Sequence, residues 1–210
     1  MTVEDDWKER LGRRFARLAA TAVVARPGLW RVFRGPLRAQ FDRLARVWEG
    51  RRGPEALLPL EVALERVPAA ARALDLGTGT GKGARVVACR YSEASVVGVD
   101  LSLRMVEEAR RLLPPELSER VCFEVADASR LSFPDDSFDL VVLLNMIPFF
   151  PELARLTAAG GTVVFAFSSG AQTPIYVPSE RLRERLAPLG FGAFEDVAAG
   201  TGTAFIARKG

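Results

Sequence analysis

Hydrophobic and polar residues follow two different patterns along this chain, and the change falls near residue 71. Before it, apolar side chains recur every three or four positions, which is the period of a helix with one apolar face. One stripe ends near Pro27, a second has Pro36 in its predicted first turn, and a third helix is predicted from Leu57 to Val67. The two stripes consist of Leu11, Phe15, Leu18 and Ala22, and of Phe33, Leu37, Phe41, Leu44 and Trp48.

From residue 71 onward, short apolar runs alternate with helical patterns. Strands are predicted at 73–76, 95–99, 121–125, 138–144, 162–167, 191–198 and 202–207, and helices at 82–91, 102–113, 149–157 and 179–189. This alternation is typical of a parallel sheet covered on both faces. The last two strands must be antiparallel, because only residues 200–202 join them. We therefore predict a helical cap over residues 1–70 and, over 71–210, a doubly wound, Rossmann-like α/β domain whose seven-stranded sheet ends in a hairpin.

The first predicted strand ends in a glycine-rich turn. Residues 73–83 read Ala-Leu-Asp-Leu-Gly-Thr-Gly-Thr-Gly-Lys-Gly, an apolar strand that is followed by alternating glycines and a helix. Such a turn lets backbone N–H groups approach a nucleotide-like ligand, because glycine has no Cβ and accepts positive φ. The segment therefore predicts a nucleotide-binding site.

Three nucleotide-binding patterns compete for this turn. A phosphate-binding P-loop is excluded, because Lys82 is followed by Gly83 instead of Ser or Thr and position 76 is Leu. A dinucleotide fingerprint fits positions 79, 81 and 84, so a nicotinamide-dependent reductase stays possible. The third pattern is an acid before alternating glycines, namely Asp75, Gly77, Gly79 and Gly81.

Two further acids end the next strands. Asp100 ends the second strand, where a carboxylate accepts hydrogen bonds from two ribose hydroxyls; both remaining patterns use an acid there. Asp127, followed by Ala128, ends the third strand, where it is able to accept a hydrogen bond from the exocyclic amine of adenine. The third strand therefore favours the pattern with alternating glycines.

Taken in order, these motifs resemble the class I S-adenosylmethionine-dependent methyltransferases. The resemblance runs from Ala73 to Ala207 and includes the fourth strand at Phe138–Val142 and the turn into the fifth strand at Ala159–Phe165. It implies S-adenosyl-L-methionine as the cofactor and a set of residues that contact it. These are Asp75, Gly77, Thr78, Gly79 and Gly81 at the methionine part, Asp100 at the ribose, Leu101, Met105, Asp127 and Ala128 at the adenine, and Asn145 at the sulfonium.

The N-terminal segment Phe41–Trp48 resembles the aromatic helix that closes over cofactor and substrate in small-molecule methyltransferases, including those that act on quinones. Asn145 is not followed by Pro-Pro-Tyr/Phe, so the signature of amino-methylating DNA and protein enzymes is absent. We expect a small apolar or aromatic acceptor. Its expected contacts are Phe41, Trp48, Met146, Gln172 and Tyr176.

The chain contains no histidine, which removes the commonest general base. An amine, a thiol, an activated carbon or a carboxylate remains as the methyl acceptor, or an acidic side chain acts as the base; the sequence does not choose among them. With two cysteines, Cys89 and Cys122, and no histidine, no metal site is expected. Both cysteines lie in apolar runs, which predicts buried thiols in a reducing compartment.

Charge is unevenly distributed. The whole chain has 29 Lys and Arg against 26 Asp and Glu, but residues 1–52 have 13 against 6, a net +7, and the remainder is −4. The basic segment suits an acidic substrate, RNA or a membrane surface. An RNA- or protein-directed methyltransferase and a non-catalytic cofactor-binding module therefore stay as alternatives, although nucleic acid is not the expected partner.

The sequence predicts a cytoplasmic protein. Residues 1–15 are too charged for a signal peptide, and the longest apolar run, 138–150, is too short to span a bilayer. The oligomeric state has no signal in the sequence.

Overall fold

The computed structural model describes residues 3–51 and 53–210. Three helices precede the sheet: α1 (Val3–Ala25), α2 (Trp30–Trp48) and α3 (Leu58–Leu64). The strands are β1 (Arg72–Leu76), β2 (Ser95–Asp100), β3 (Val121–Val125), β4 (Phe138–Leu144), β5 (Thr157–Phe167), β6 (Phe191–Ala199) and β7 (Gly202–Lys209). Between them lie α4 (Lys82–Arg90), α5 (Leu103–Arg111), α6 (Phe150–Leu156) and α7 (Ser179–Leu186).

The seven strands form one sheet in the order β3-β2-β1-β4-β5-β7-β6. β1 to β5 are parallel, and β7 runs antiparallel to both β5 and β6. The predicted doubly wound sheet with a C-terminal hairpin is therefore confirmed. Strand order reverses between β1 and β4, which is where open α/β sheets leave a crevice for ligands at the carboxyl ends of the strands.

Each face of the sheet carries its own hydrophobic core. Buried residues of α1, α2, α6 and α7 pack on one face, and buried residues of α3, α4 and α5 pack on the other. Strand β1 shows the alternation, since Leu74 and Leu76 belong to the first core and Ala73 to the second. Asp75 shares a face with Ala73, so its carboxylate is directed toward α4.

Helix α2 begins earlier than the sequence predicted. It starts at Trp30, so Pro36 lies inside the helix and not in its first turn. Proline removes one backbone N–H from the helix ladder. Pro36 is exposed, so the interruption of the helix ladder lies on the solvent side of α2.

Only part of the predicted apolar stripe of α1 packs against the protein: Phe15 lies against the core and contacts the Phe33 ring, with centroids 5.9 Å apart. Leu11 and Leu18 are 58% and 62% exposed. The buried face is made of small residues that allow a close approach: Ala16, Ala19, Ala20 and Val23. Periodicity therefore identified the helix, but the buried face is centred on the alanines and has Phe15 at its margin.

Two other expectations are corrected. Cys89 and Cys122 are exposed, not buried, because Cys89 lies on the outer side of α4 and Cys122 on the uncovered side of the edge strand β3. The turn predicted to precede the fifth strand belongs to β5 itself, which starts at Thr157. Gly160, with φ +73°, lies within β5 where the register with β4 shifts. Within the described residues, no helix is both long and apolar enough to cross a membrane.

Candidate active site

Asp75 is the most buried carboxylate at the ends of the parallel strands, with 1% of its surface exposed. Its Oδ2 accepts hydrogen bonds from the Thr78 hydroxyl at 2.6 Å and from the Ala84 amide at 2.7 Å. Its Oδ1 is buried and has no hydrogen-bond partner among the described residues. Burial raises the pKa of Asp75 to about 6, against the lowering effect of these two donors.

The glycine turn after β1 has the conformation that its sequence requires. Gly77, Gly79 and Gly81 all have positive φ, at 75°, 54° and 83°. A Cβ on Gly77 would lie 2.5 Å from the Met146 sulfur, and one on Gly79 would lie 3.4 Å from Nε1 of Trp48. Two predicted acceptor residues therefore lie directly over the predicted cofactor loop.

Asp100 connects the end of β2 to that loop. One carboxylate oxygen accepts the Gly79 amide at 2.9 Å, and the other accepts the Ser102 amide at 2.8 Å. Each oxygen keeps a further lone pair for a ligand hydroxyl. Burial raises the pKa of Asp100 to about 6, although both backbone donors lower it. The neighbouring Asp42 carboxylate raises it further.

The carboxylate of Asp127, at the end of β3, has a different environment. Its Oδ1 accepts hydrogen bonds from the Trp30 indole at 2.7 Å, the Ser129 hydroxyl at 2.7 Å and the Ser129 amide at 3.0 Å. Arg34 reaches Oδ2 at 3.5 Å. Burial by itself raises the pKa of Asp127, but these donors outweigh burial and hold it below its usual value. Oδ2 is the atom with capacity left for a ligand amine.

The last turn of α2 is tied to the loop by a cluster around Glu49. Its carboxylate accepts the Thr80 hydroxyl at 2.6 Å and pairs with Arg85 at 2.8 Å, while Lys82 donates to its backbone carbonyl at 2.8 Å. In the middle of α2, Asp42 accepts a hydrogen bond from the Ser102 hydroxyl, which caps α5. Helix α2 thus lies across the ends of β1, β2 and β3.

Asn145 follows β4 in a left-handed conformation with φ 56°, which asparagine tolerates better than most residues. Its side-chain amide donates to the Ser168 hydroxyl at 2.8 Å and accepts from the Ser168 backbone amide at 3.0 Å. Ser168 in turn donates to the Ala56 carbonyl at 2.7 Å. Asn145 therefore joins the ends of β4 and β5, and its predicted role at the sulfonium stays a prediction.

The other predicted acceptor residues fall into two groups. Phe41 contacts Trp48 edge to face, with ring centroids 5.5 Å apart, so both belong to the cover over the loop. Tyr176 contacts Phe167 in the same manner at 5.0 Å, at the end of β5. Gln172 is exposed, and its backbone carbonyl accepts a hydrogen bond from Arg13 of α1. These two residues contact β5 and α1.

The remaining predicted cofactor residues differ in their burial. Met105 and Ala128 are buried, and Leu101 is half-buried against the core beneath α2. No group of three or more His, Cys, Asp and Glu in the described part of the chain has the arrangement of a metal site.

Sequence reasoning missed the polar contacts of α2 with the site, above all those of Trp30 and Glu49. The available signal was helical spacing: Trp30 and Arg34 are four residues apart and so share a face of α2. What the spacing did not show is that this face meets Asp127, which lies 97 residues from Trp30 along the chain.

Residues 73–161 match the family described as "Methyltransferase domain". The chain is 37% identical over 142 residues to a trans-aconitate 2-methyltransferase of Methylobacterium nodulans, covering 63% of this chain and 51% of the relative. It is 36% identical over 110 residues to a 2-methyl-6-phytyl-1,4-hydroquinone methyltransferase of Synechocystis, covering 49% and 34%. The chain therefore spans about half or less of the length of these curated relatives.

The fold is also similar to a solved structure of Haemonchus contortus phosphoethanolamine N-methyltransferase 2 in complex with S-adenosyl-L-methionine. The TM-score is 0.59 at 25% identity, over 74% of this chain and 43% of that one. The domain match lies on the segment that carries the glycine loop and all three strand-end carboxylates. Residues 73–161 therefore form a methyltransferase domain, and the chain has the Rossmann-like fold of S-adenosylmethionine-dependent methyltransferases.

Proposed function

We propose that this protein transfers a methyl group from S-adenosyl-L-methionine to a small apolar or aromatic acceptor. One observation carries the proposal: the ends of β1, β2 and β3 bring the glycine loop, Asp75, Asp100 and Asp127 together beneath the aromatic helix α2. Relatives that are named for aconitate and hydroquinone acceptors support a small molecule.

The residues at these strand ends fit the cofactor. Asp75 has a buried oxygen without a hydrogen-bond partner among the described residues, which is suited to a cationic amino group. Asp100 and Oδ2 of Asp127 keep lone pairs for the ribose hydroxyls and the adenine amine. When bound, the cofactor supplies a methyl group that its sulfonium has already activated.

The chain's own contribution to transfer is alignment and the exclusion of water. Holding the acceptor atom in line with the methyl group lowers the barrier by about 7–11 kcal/mol in well-aligned systems. Trp48 and Met146 lie over the loop where this alignment has to occur. No histidine is present to act as base, so we infer an acceptor that attacks without prior deprotonation, or an acidic side chain as base.

Cofactor entry requires the cover over the glycine loop to move. Met146 fills the space above Gly77, and its unbranched side chain is able to rotate away at low cost. Trp48 is held at the end of α2 next to the Glu49 cluster, so its displacement involves the helix end. We infer that Phe41, Trp48 and Met146 line the acceptor pocket, with Gln172 and Tyr176 at its far side.

We also propose the division of the chain into two parts that the sequence suggested. Residues 1–70 act as the cap and 71–210 as the methyltransferase domain, with α2 making the cap's contacts to the site loops and α3 packing on the sheet. We infer a cytoplasmic location, which fractionation of cells that express the full chain tests.

Calorimetric titration of the full chain with S-adenosylmethionine, S-adenosylhomocysteine and NADH tests the proposal. Micromolar binding of the first two and no heat from NADH is the expected result, and it justifies an acceptor screen with labelled cofactor. Binding of NADH alone would contradict the proposal in favour of hydride transfer. Cofactor binding with no turnover across acids, quinols, amines and thiols would favour a non-catalytic module.

A further inference from the structure

Helix α1 has apolar side chains on two nearly opposite faces. At 100° per residue, Trp7, Leu11 and Leu18 share one face, and the buried residues Ala16 and Ala19 lie on the other. Trp7 is 50% exposed, Leu11 58% and Leu18 62%. We call Trp7, Leu11 and Leu18 the outer stripe of α1. The hydrophobic core includes the alanine face and has Phe15 packed at its margin, and Leu11 and Leu18 are not part of it.

The part of the chain that carries the outer stripe is basic on balance. Residues 3–41 contain eight arginines and Lys8 against four acidic residues, all of which precede residue 10, and all eight arginine side chains are exposed. Arg13 and Arg17 donate to backbone carbonyls of residues 171–173, and Arg34 contacts Asp127. These contacts fix the side of α1 that faces the protein. The arginines are Arg10, Arg13, Arg14, Arg17, Arg26, Arg31, Arg34 and Arg38.

We propose that α1 docks this protein on an anionic lipid surface, with the outer stripe in the boundary between headgroups and acyl chains. A tryptophan and leucines on one helix face, flanked by arginine, are the features of a helix that lies in the plane of a membrane interface. The arginines supply the charge complementarity, because the cytoplasmic leaflet is negatively charged. Val32, 65% exposed at the start of α2, adds a further apolar side chain to this basic region.

Two other occupants suit the surface less well. RNA binds through arginine and through stacking on aromatic rings, and it gains nothing from exposed leucines. A second copy of the chain would bury the leucines, but a two-fold interface would place the same arginines opposite one another. A lipid surface uses both features of α1 at once.

The inference goes beyond the proposed function and needs no cofactor. If the proposed acceptor is apolar, membrane docking would place the enzyme where such an acceptor dissolves, an advantage that rests on the proposed function. Vesicle binding and methyl transfer are separate measurements, so either proposal fails without the other.

The test is flotation of the full chain with vesicles of phosphatidylcholine alone and of phosphatidylcholine with phosphatidylglycerol. We expect binding to the anionic vesicles only, weakened by salt. The double substitution Leu11→Gln and Leu18→Gln should reduce the partition coefficient by about five- to tenfold for each leucine. Leu103→Gln, which changes a 50% exposed leucine on α5, is the matched control and should bind like the wild type.

Two further variants separate charge from apolar insertion. Arg10→Gln with Arg14→Gln should weaken binding by about fivefold for each arginine, and only on anionic vesicles. Trp7 should enter the lipid, so its fluorescence should shift to the blue on binding. Trp7→Phe should abolish most of that shift while much of the binding stays, because Trp30 is already buried.

Several results would overturn the inference. One is the absence of binding to the anionic vesicles, and another is equal binding by the leucine double variant with its fold intact by circular dichroism. A wild-type dimer that the leucine substitutions convert to monomers would assign the stripe to a second copy. RNA binding that the arginine substitutions abolish and the leucine substitutions leave unchanged would assign the basic surface to nucleic acid.

Discussion

The ends of β1, β2 and β3 each place a carboxylate at the same edge of the sheet. The surroundings raise the pKa of the carboxylates on β1 and β2 and lower the pKa of the one that follows β3. Asp75 and Asp100 are surrounded so closely that burial raises the pKa of each to about 6. At Asp127, donors from Trp30, Ser129 and Arg34 outweigh burial, and the pKa falls. Equivalent positions in parallel strands thus acquire different electrostatics from the elements packed on them.

The difference suggests a division of work along the cofactor. A carboxylate that is costly to ionise alone gains most when a cation arrives, because the cation offsets the burial. Asp75, whose proposed partner is the cofactor's amino group, is in that condition. Asp100 is equally costly to ionise but has the ribose hydroxyls as its proposed partners, and Asp127 is already stabilised as an anion by the protein. We therefore expect cofactor binding to change the protonation of the first region and to leave the second unchanged.

The largest expected effect is on stability at Asp75. Its pKa in the folded state, about 6, lies above the value of 3.8 for an unperturbed aspartate, so ionisation destabilises the fold progressively from about pH 4 to pH 6. Asp75→Asn removes that penalty and should raise the free energy of unfolding by about 2–3 kcal/mol at pH 8, with no gain near pH 4. Urea denaturation at the two pH values measures it. A gain that is independent of pH would contradict the assignment.

The next largest effect is on cofactor affinity at Asp100. Removing a charged acceptor costs about 1.5–3 kcal/mol, so Asp100→Ala should weaken S-adenosylmethionine binding by about one to two decades. Calorimetric titration measures this affinity. Asp139→Ala, a substitution at the opposite end of the sheet, is the control that should bind normally. Unchanged affinity in a folded Asp100→Ala protein would show that Asp100 does not bind the ribose.

The pH dependence of cofactor binding should follow from the same region. Asp75 must ionise to bind the cationic amino group, and Asp100 must ionise to accept hydrogen bonds from both ribose hydroxyls. Affinity should therefore rise as the pH increases through 6 and level off above it. Titration in buffers of different ionisation enthalpy should show protons released on binding at pH 6. A flat profile between pH 5 and pH 8 would contradict the raised pKa values.

Trp30→Phe tests how the second region is maintained. It removes the indole donor to Asp127 but keeps an aromatic ring against Phe149, and should cost about 1.5 kcal/mol of stability through the lost hydrogen bond to a charged group. Thermal unfolding measures the change, with Trp7→Phe on the exposed stripe as the matched control. Equal melting temperatures for the two variants would mean that the hydrogen bond contributes nothing.

The smallest effect is expected at Asp127 itself, and it has the opposite sign to that at Asp75. Because its pKa is lowered in the fold, its ionised form stabilises the protein above the unperturbed value, and that stability is lost as the pH falls. Asp127→Asn should therefore cost about 1 kcal/mol near neutral pH and nothing at strongly acidic pH. Denaturation curves at several pH values distinguish this from the behaviour of Asp75→Asn.

Much of the fold could be predicted from local sequence patterns. The seven strands, their hairpin and the glycine loop depend on alternation, on glycine at positive φ and on connection length, all of which are properties of short segments. The positions of Asp75, Asp100 and Asp127 followed, because the carboxyl ends of neighbouring parallel strands meet at one edge.

What local pattern did not decide was which elements meet. Leu11 and Leu18 form a regular stripe, but the alanine face of α1 packs more closely and was buried in its place. The hydrogen bond from Trp30 to Asp127 and the Glu49 cluster join residues far apart in the chain, so no short-range spacing encodes them.

The sequence by itself therefore determined the fold class, the cofactor loop and the acids at its edge, because each is an intrinsic preference of a few adjacent residues. Only the tertiary structure decided the charge state of those acids, the cover that α2 forms with Trp48, and the outward direction of the stripe on α1. Those properties depend on desolvation and on contacts between distant segments, which exist only once the chain has folded.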